Sequence, residues 1–234
     1  FLLLGQGDGT LLSATRFATG TDPVHVAVGD LNADGHMDVV TANNVSNSVS
    51  VLLGQGDGTF AGRNDFQTST APVFISLSDL NRDGKPDVVT ANVTGQNISV
   101  LLGNGDGSFQ AAQHFPVGAE PWAVVTTDGN QDSKPDVVTA NPGLSSVSFL
   151  PGRGDGTFDP RTDLGTDTEP IAVTAADFNK DGLVDLVTGN VGYYSSYYGI
   201  PYLNFSFSFL LGNGNGTFRA RRDFFPPAQL TILG

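Results

Sequence analysis

The chain has 234 residues, a formal net charge of −13 and no cysteine, which excludes a disulfide framework and thiolate chemistry. Its 30 Gly and 13 Pro suit a fold of many tight turns, and its acidity disfavours nucleic acid, whose phosphates call for clustered Lys and Arg. No apolar run approaches the roughly 20 residues that a membrane-spanning helix needs, so membrane insertion is not expected.

Taken in chain order, residues 1–19 read as two short strands around a Gly-rich turn at Gly5–Thr10. Phe1–Leu4 aligns with Ser50–Leu53 further on, so it is a repeat strand and not a signal-peptide core. Beginning inside a repeat and without Met, the sequence is expected to be a mature fragment or an excerpt of a longer protein. Pro23 then opens an alternating strand (Val24, Val26, Val28) that leads into an acidic loop with Asp30, Asn32, Asp34, Gly35, His36 and Asp38. A β-branched run, Val39–Asn43, follows. A second apolar run enters the turn Gly54–Phe60, and a short segment with Phe66 closes the unit.

The same order returns three times, with loops starting at Asp30, Asp79, Asp128 and Asp177, an even spacing of 49 residues. The second loop carries Asp79, Asn81, Asp83, Lys85 and Asp87. The third carries Asp128, Asn130, Asp132, Lys134 and Asp136, and the fourth Asp177, Asn179, Asp181, Leu183 and Asp185. Period-2 patterning between Gly, Asn and Asp clusters identifies strands. No stretch keeps a 3.6-residue apolar period long enough for a helix.

Oxygen-bearing side chains at positions 1, 3, 5 and 9 of a tight loop are what a hard cation such as Ca²⁺ requires, and a Gly at position 6 permits the bend. The residues at position 7 (His36, Lys85, Lys134 and Leu183) vary freely, as befits a backbone-carbonyl ligand. Four such loops in register predict four calcium sites. The third departs from the pattern, with Ser133 in place of the glycine and Gly129 adding slack at position 2. It is expected to be the weakest.

Four short strands in each long repeat match a propeller blade. The pairing of Asp-x-Asn-x-Asp-Gly-x-x-Asp with Asp-Val-Val-Thr-Ala-Asn and a Gly-x-Gly-Asp-Gly-Thr-Phe turn resembles FG-GAP/VCBS repeats over almost the whole chain. That resemblance implies an all-β, calcium-binding β-propeller of four-stranded antiparallel blades, as in integrin α-subunits and certain lectins. The expected units are a partial blade at 1–19, complete blades at 20–68, 69–117, 118–166 and 167–226, and a second partial blade at 227–234. The two partial units fall in one blade position, which then lacks one strand and its metal loop.

Within each unit the strands are termed A, B, C and D. The A–B loops and C–D turns share one face of the propeller, and the B–C and D–A connections share the other. An insertion in the fourth B–C connection holds every Tyr: Tyr193, Tyr194, Tyr197, Tyr198 and Tyr202. Such a cluster suits recognition of protein or sugar, although rings folded onto their own blade explain it equally well. Arg153-Gly154-Asp155 occupies a turn slot that is Gln-Gly-Asp, Asn-Gly-Asp or Asn-Gly-Asn elsewhere, so a hairpin turn suffices to explain it. Sequons stand at Asn44, Asn92, Asn97, Asn204 and Asn215.

Catalysis finds no nucleophile elbow and no paired His. Glu120 and Glu169, the only two Glu, read as polar loop residues. The functional expectation is a secreted or cell-surface module that recognises a glycan or an extracellular protein without catalysis. A structural unit that self-associates through its incomplete blade, and an accessory propeller of a secreted hydrolase or lyase, are the alternatives.

Overall fold

The computed structural model describes residues 1–197 and 200–226, and between 193 and 204 it describes backbone only. Its strands form four separate antiparallel sheets of four, each in sequence order. The first holds β1 (Pro23–Gly29), β2 (Asp38–Asn43), β3 (Ser48–Leu52) and β4 (Asn64–Gln67). The second holds β5 (Pro72–Ser78), β6 (Asp87–Asn92), β7 (Asn97–Leu101) and β8 (Gln113–Pro116). The third holds β9 (Ala123–Thr127), β10 (Asp136–Asn141), β11 (Ser146–Leu150) and β12 (Thr162–Gly165). The fourth holds β13 (Pro170–Ala176), β14 (Asp185–Tyr197), β15 (Ile200–Leu210) and β16 (Arg222–Phe224). The A strands β1, β5, β9 and β13 neighbour one another in turn. This is the expected β-propeller arrangement.

A lone four-stranded sheet cannot bury both of its faces, so the core lies between blades. At the first junction Leu31, Val40, Val49 and Val51 of one blade meet Ile75, Val88, Leu101 and Phe109 of the next. Each B strand sits mid-sheet and is covered on both faces, which is why β6 and β10 are buried at every residue. Aromatic pairs clamp successive blades edge-to-face: Phe17 with Phe60 at 4.8 Å, Phe66 with Phe109 at 5.3 Å, and Phe115 with Phe158 at 5.0 Å. Each such pair contributes about 0.5–1.5 kcal/mol beyond its area. In the fourth blade Phe218 meets Phe149 instead, at 5.5 Å.

The Asn that ends β2, β6 and β10, and its equivalent Asn190 within β14, anchors a buried polar chain. In the first blade Thr41 donates to Asn43 (3.0 Å), Asn43 to Ser50 (2.9 Å), and Ser50 to Asp65 (2.7 Å). The Gly20 N–H also donates to Ser50, at 2.9 Å, tying the D–A connection to the C strand. Thr139, Asn141, Ser148 and Asp163 repeat the chain in the third blade. In the second blade His114 takes the place of the Asp, 3.0 Å from Ser99. Among the described residues only Ser146 has a buried side-chain polar atom without a partner. Asn92 belongs to this network and is fully buried, so that sequon is closed to glycosylation in the folded protein.

The insertion in the fourth B–C connection lengthens that hairpin into a two-stranded ribbon, with Tyr194 opposite Leu203 and Tyr197 opposite Ile200. A register shift between Val191 and Tyr194 marks where the ribbon departs from the blade. Tyr favours strands, and five of them fall in this insertion.

Candidate functional site

The acidic loops have one geometry. In the first, Asp30 accepts the N–H groups of Asp34 (3.2 Å) and Gly35 (2.9 Å). Asn32 accepts the Asp34 N–H at 3.1 Å, and Asp34 accepts that of His36 at 2.8 Å. Loops two, three and four repeat all four bonds. The backbone turns left-handed at position 4 (Ala33, Arg82, Gln131, Lys180) and again at position 6. Side-chain oxygens of positions 1, 3 and 5 are thereby gathered around one short stretch of backbone.

Position 9 is built differently. Asp38, Asp87, Asp136 and Asp185 are fully buried. One oxygen of Asp38 accepts the N–H of Leu31 at 2.7 Å, and the other accepts that of Gly54 at 2.8 Å, stitching the A–B loop to the C–D turn. Asp87 does the same with Leu80 and Gly103, Asp136 with Gly129 and Gly152, and Asp185 with Phe178 and Gly212. The turn glycine is required by close approach. A Cβ at Gly54, Gly103, Gly152 or Gly212 would stand 2.2, 2.3, 1.9 or 2.1 Å from the position-8 carbonyl oxygen.

Among the described residues no three His, Asp or Glu side chains stand together as a metal-binding group. Each loop instead offers two carboxylates and an amide oxygen nearer the surface and a third, buried carboxylate, all of them already accepting backbone N–H groups. The charges still sense each other. Burial pushes the Asp136 carboxyl up to about 6, with the Asp132 charge adding to the rise. Asp87 is raised for the same reasons, burial first and Asp83 in support. A carboxylate oxygen that accepts one N–H keeps a further lone pair, and a divalent cation reverses this kind of repulsion. The donor chemistry fits a hard oxygen-seeking ion.

Position 7 contributes no shared side-chain chemistry. Its side chains lie against the C–D turn, over Gly56, Gly105, Gly154 and Gly214. Lys134 reaches Asp132 at 3.3 Å and Lys85 reaches Asp83 at 3.8 Å. In the third loop Ser133 keeps the left-handed bend, with φ 64° against 81–84° for the glycines. Gly129 is not slack: a Cβ there would meet Phe149 at 2.8 Å, so the larger Phe149 fills the space that Leu31 and Leu80 fill in their own blades. Gln131 also donates to the Gly182 carbonyl at 2.9 Å, linking loops three and four.

The C–D turns are closed on themselves. The hydroxyls of Thr10, Thr59, Ser108 and Thr157 hold Asp8, Asp57, Asp106 and Asp155 below the usual carboxylate range, with their backbone N–H groups in support. In the Arg153-Gly154-Asp155 turn, Asp155 is thus engaged by Thr157, and Arg153 pairs with Asp159 at 2.8 Å. Both remaining His are also committed: His25 stacks on Phe74 at 3.9 Å, and His114 belongs to the buried network.

A cleft of about 460 Å³ opens between the third and fourth blades on the other face. Glu120 and Trp122 line it from one D–A connection, Glu169 from the next and Ile171 from the start of β13, with Pro142 and Ser145 from the third B–C connection and Val191 from β14. Trp122 is 49% exposed, and its backbone N–H donates to the Ala140 carbonyl at 2.9 Å. Both Glu sit at positive φ, 57° and 52°, and the Glu169 carbonyl accepts the Val191 N–H at 3.0 Å. Sequence reasoning passed over Trp122. The available signal was the chain's single Trp standing where the other blades have Val24, Val73 and Ile171. The Tyr-bearing ribbon starts at the edge of this cleft, at Val191. Tyr198 lies outside the described residues, as do the side chains of Tyr193, Tyr194, Tyr197 and Tyr202.

No helix of the described residues is long and apolar enough to cross a membrane. A comparison with curated proteins gives no match. Among solved structures, an Agrocybe aegerita lectin, studied for specific recognition of non-reducing terminal N-acetylglucosamine, aligns with a TM-score of 0.54 and 20% identity. The alignment covers 84% of this chain and 50% of the lectin, so the chain spans about half of the lectin's length. BBS1N, solved in complex with ARL6DN, aligns at 0.51 and 10% identity over 89% of this chain and 70% of its own. A functionally unknown protein from Desulfotomaculum acetoxidans aligns at 0.50 and 11% over 92% and 73%. At such identities the likeness is one of fold. The FG-GAP-like repeat model matches residues 1–41, 30–90, 79–139 and 128–188, overlapping matches that together take in all four acidic loops and the strands around them. The chain belongs to the FG-GAP-like repeat family.

Proposed function

We propose that this propeller is a non-catalytic recognition module, secreted or displayed at the cell surface, that binds a glycan or protein through the face opposite its acidic loops. The cleft between the third and fourth blades carries this reading. It pairs a half-exposed Trp122 with the chain's only two Glu. An indole face packs against the C–H surface of a sugar or an apolar side chain, and carboxylates accept hydroxyl or N–H donors. The fold shared with a lectin supports a glycan as the first ligand class to try. A glycan array with the wild type and Trp122→Ala tests the reading. Loss of the indole is expected to weaken binding about 5- to 30-fold, the effect of about 1–2 kcal/mol, with the melting temperature little changed. Equal binding by both proteins would remove the cleft from the account.

Calcium in the four loops holds that face rigid. Positions 1, 3 and 5 supply side-chain oxygens, position 7 its carbonyl, and position 9 a further carboxylate. When bound, the ion supplies positive charge where the carboxylates otherwise repel. The third loop binds least tightly, because Ser133 holds a left-handed conformation that costs about 1 kcal/mol in a residue with a side chain. Ser133→Gly is therefore expected to tighten that one site about fivefold in a calcium titration followed by calorimetry. Uniform affinity across the four loops of the wild type would contradict this ranking.

A further inference from the structure

The first 17 residues carry a second kind of site, visible by comparison with the complete blades. Leu2 pairs with Thr15 and Gly5 with Leu11, giving a hairpin in the C and D positions of a blade. It sits in register with its neighbour. Phe17 clamps Phe60 as Phe66 clamps Phe109. Leu4 lies over Gly58 as Leu53 lies over Gly107 and Leu102 over Gly156. The A and B strands that would complete this blade do not occur among the described residues.

Their place is an apolar groove of about 760 Å³ between the hairpin and the first blade, lined by Leu2, Phe17, Val24, Val26, Val28 and Phe60 among others. Val26 and Val28 are 55% and 58% exposed, whereas Ile75, in the place of Val26 one blade on, is 2% exposed. What covers Ile75 includes Leu31, Val40 and Ala42, which belong to the A–B half of the preceding blade. The hairpin also keeps a feature with no use in its present surroundings. Gly5 stands where Gly54, Gly103, Gly152 and Gly212 stand, and each of those is forced by an incoming position-8 carbonyl and donates its N–H to a position-9 Asp. Around Gly5 nothing lies within 4 Å of the Cβ position.

We infer that Gly5 and the groove are an acceptor for one further A–B half-blade: two strands joined by an acidic loop whose last Asp docks on the Gly5 N–H. The donor is not a folded second copy, because all four of its position-9 Asp are buried on their own glycines. Residues 227–234 contain no Asp, so they bring no position-9 carboxylate for the Gly5 N–H. The occupant is an additional unit of the same repeat, with apolar residues alternating towards Val26 and Val28.

A chain carrying a copy of residues 72–98 directly before Phe1 tests this, because residue 99 is the repeat equivalent of Phe1. The fused chain is expected to melt at least about 5 °C higher than the parent, from burial of the Val24–Val28 row. Gly5→Ala is expected to be neutral in the parent, where the Cβ meets nothing, and to erase the gain in the fused chain, where it meets the incoming carbonyl. No gain on fusion, or Gly5→Ala equally neutral in both chains, would overturn the inference.

Discussion

Chelating calcium with EDTA is expected to lower the melting temperature by about 10–20 °C. Extracellular calcium modules bind with dissociation constants around 10⁻⁴–10⁻³ M. At about 10 mM calcium and a dissociation constant near 1 mM, each site adds about 1.4 kcal/mol to the folded state by mass action. Four loops acting on one cooperative unit give about 5–6 kcal/mol, and a domain of this size shifts about 2–4 °C per kcal/mol. The expectation rests on the loops' shared geometry and on the rise of Asp87 and Asp136, caused first by burial and then by the neighbouring Asp83 and Asp132 charges. A melting temperature indifferent to EDTA would leave the loops as hydrogen-bonded turns.

Asp87→Ala is expected to lower the melting temperature by about 10 °C even in chelator. Its two oxygens hold the N–H groups of Leu80 and Gly103, both in the buried seam between the A–B loop and the C–D turn. Hydrogen bonds to a charged group are worth about 1.5–3 kcal/mol each, and removing the acceptor leaves both donors buried without a partner. Relief of the buried charge offsets part of that loss. Asp83→Ala makes the contrast: its carboxylate accepts only the Lys85 N–H and pairs loosely with the Lys85 ammonium at the loop surface. That variant should be mild in chelator and costly in calcium. Thermal melts of both variants in both buffers separate the tether from the ligand. Equal behaviour would mean that position 9 is no tether.

The all-β repeat was legible because each unit restates the same local chemistry. Alternating β-branched residues, the Asp-Val-Val-Thr-Ala-Asn strand and the Gly-rich turn require only near neighbours to be interpreted. The cleft was not legible, since Glu120, Trp122 and Glu169 come from connections of two blades and Val191 from β14, and they meet only after packing. The ribbon was not legible because its Tyr and Ser come in pairs with Gly192, Gly199 and Pro201 among them, which is no period-2 strand pattern. Gly129 shows a third kind of difficulty. A single position suggests slack, and only the pairing with Phe149 across the blade reveals an exchange of volume. Position 9 has a related ambiguity: the spacing that makes a ligand also makes a tether, and the sequence does not distinguish them.

The central claim is that four loops of one geometry are four calcium sites holding a recognition face in place. Equilibrium dialysis of the native chain against ⁴⁵Ca²⁺, taken to saturation, counts them. The account predicts close to four ions per chain, with the last to bind tightened by Ser133→Gly. A plateau at zero or one ion would contradict it.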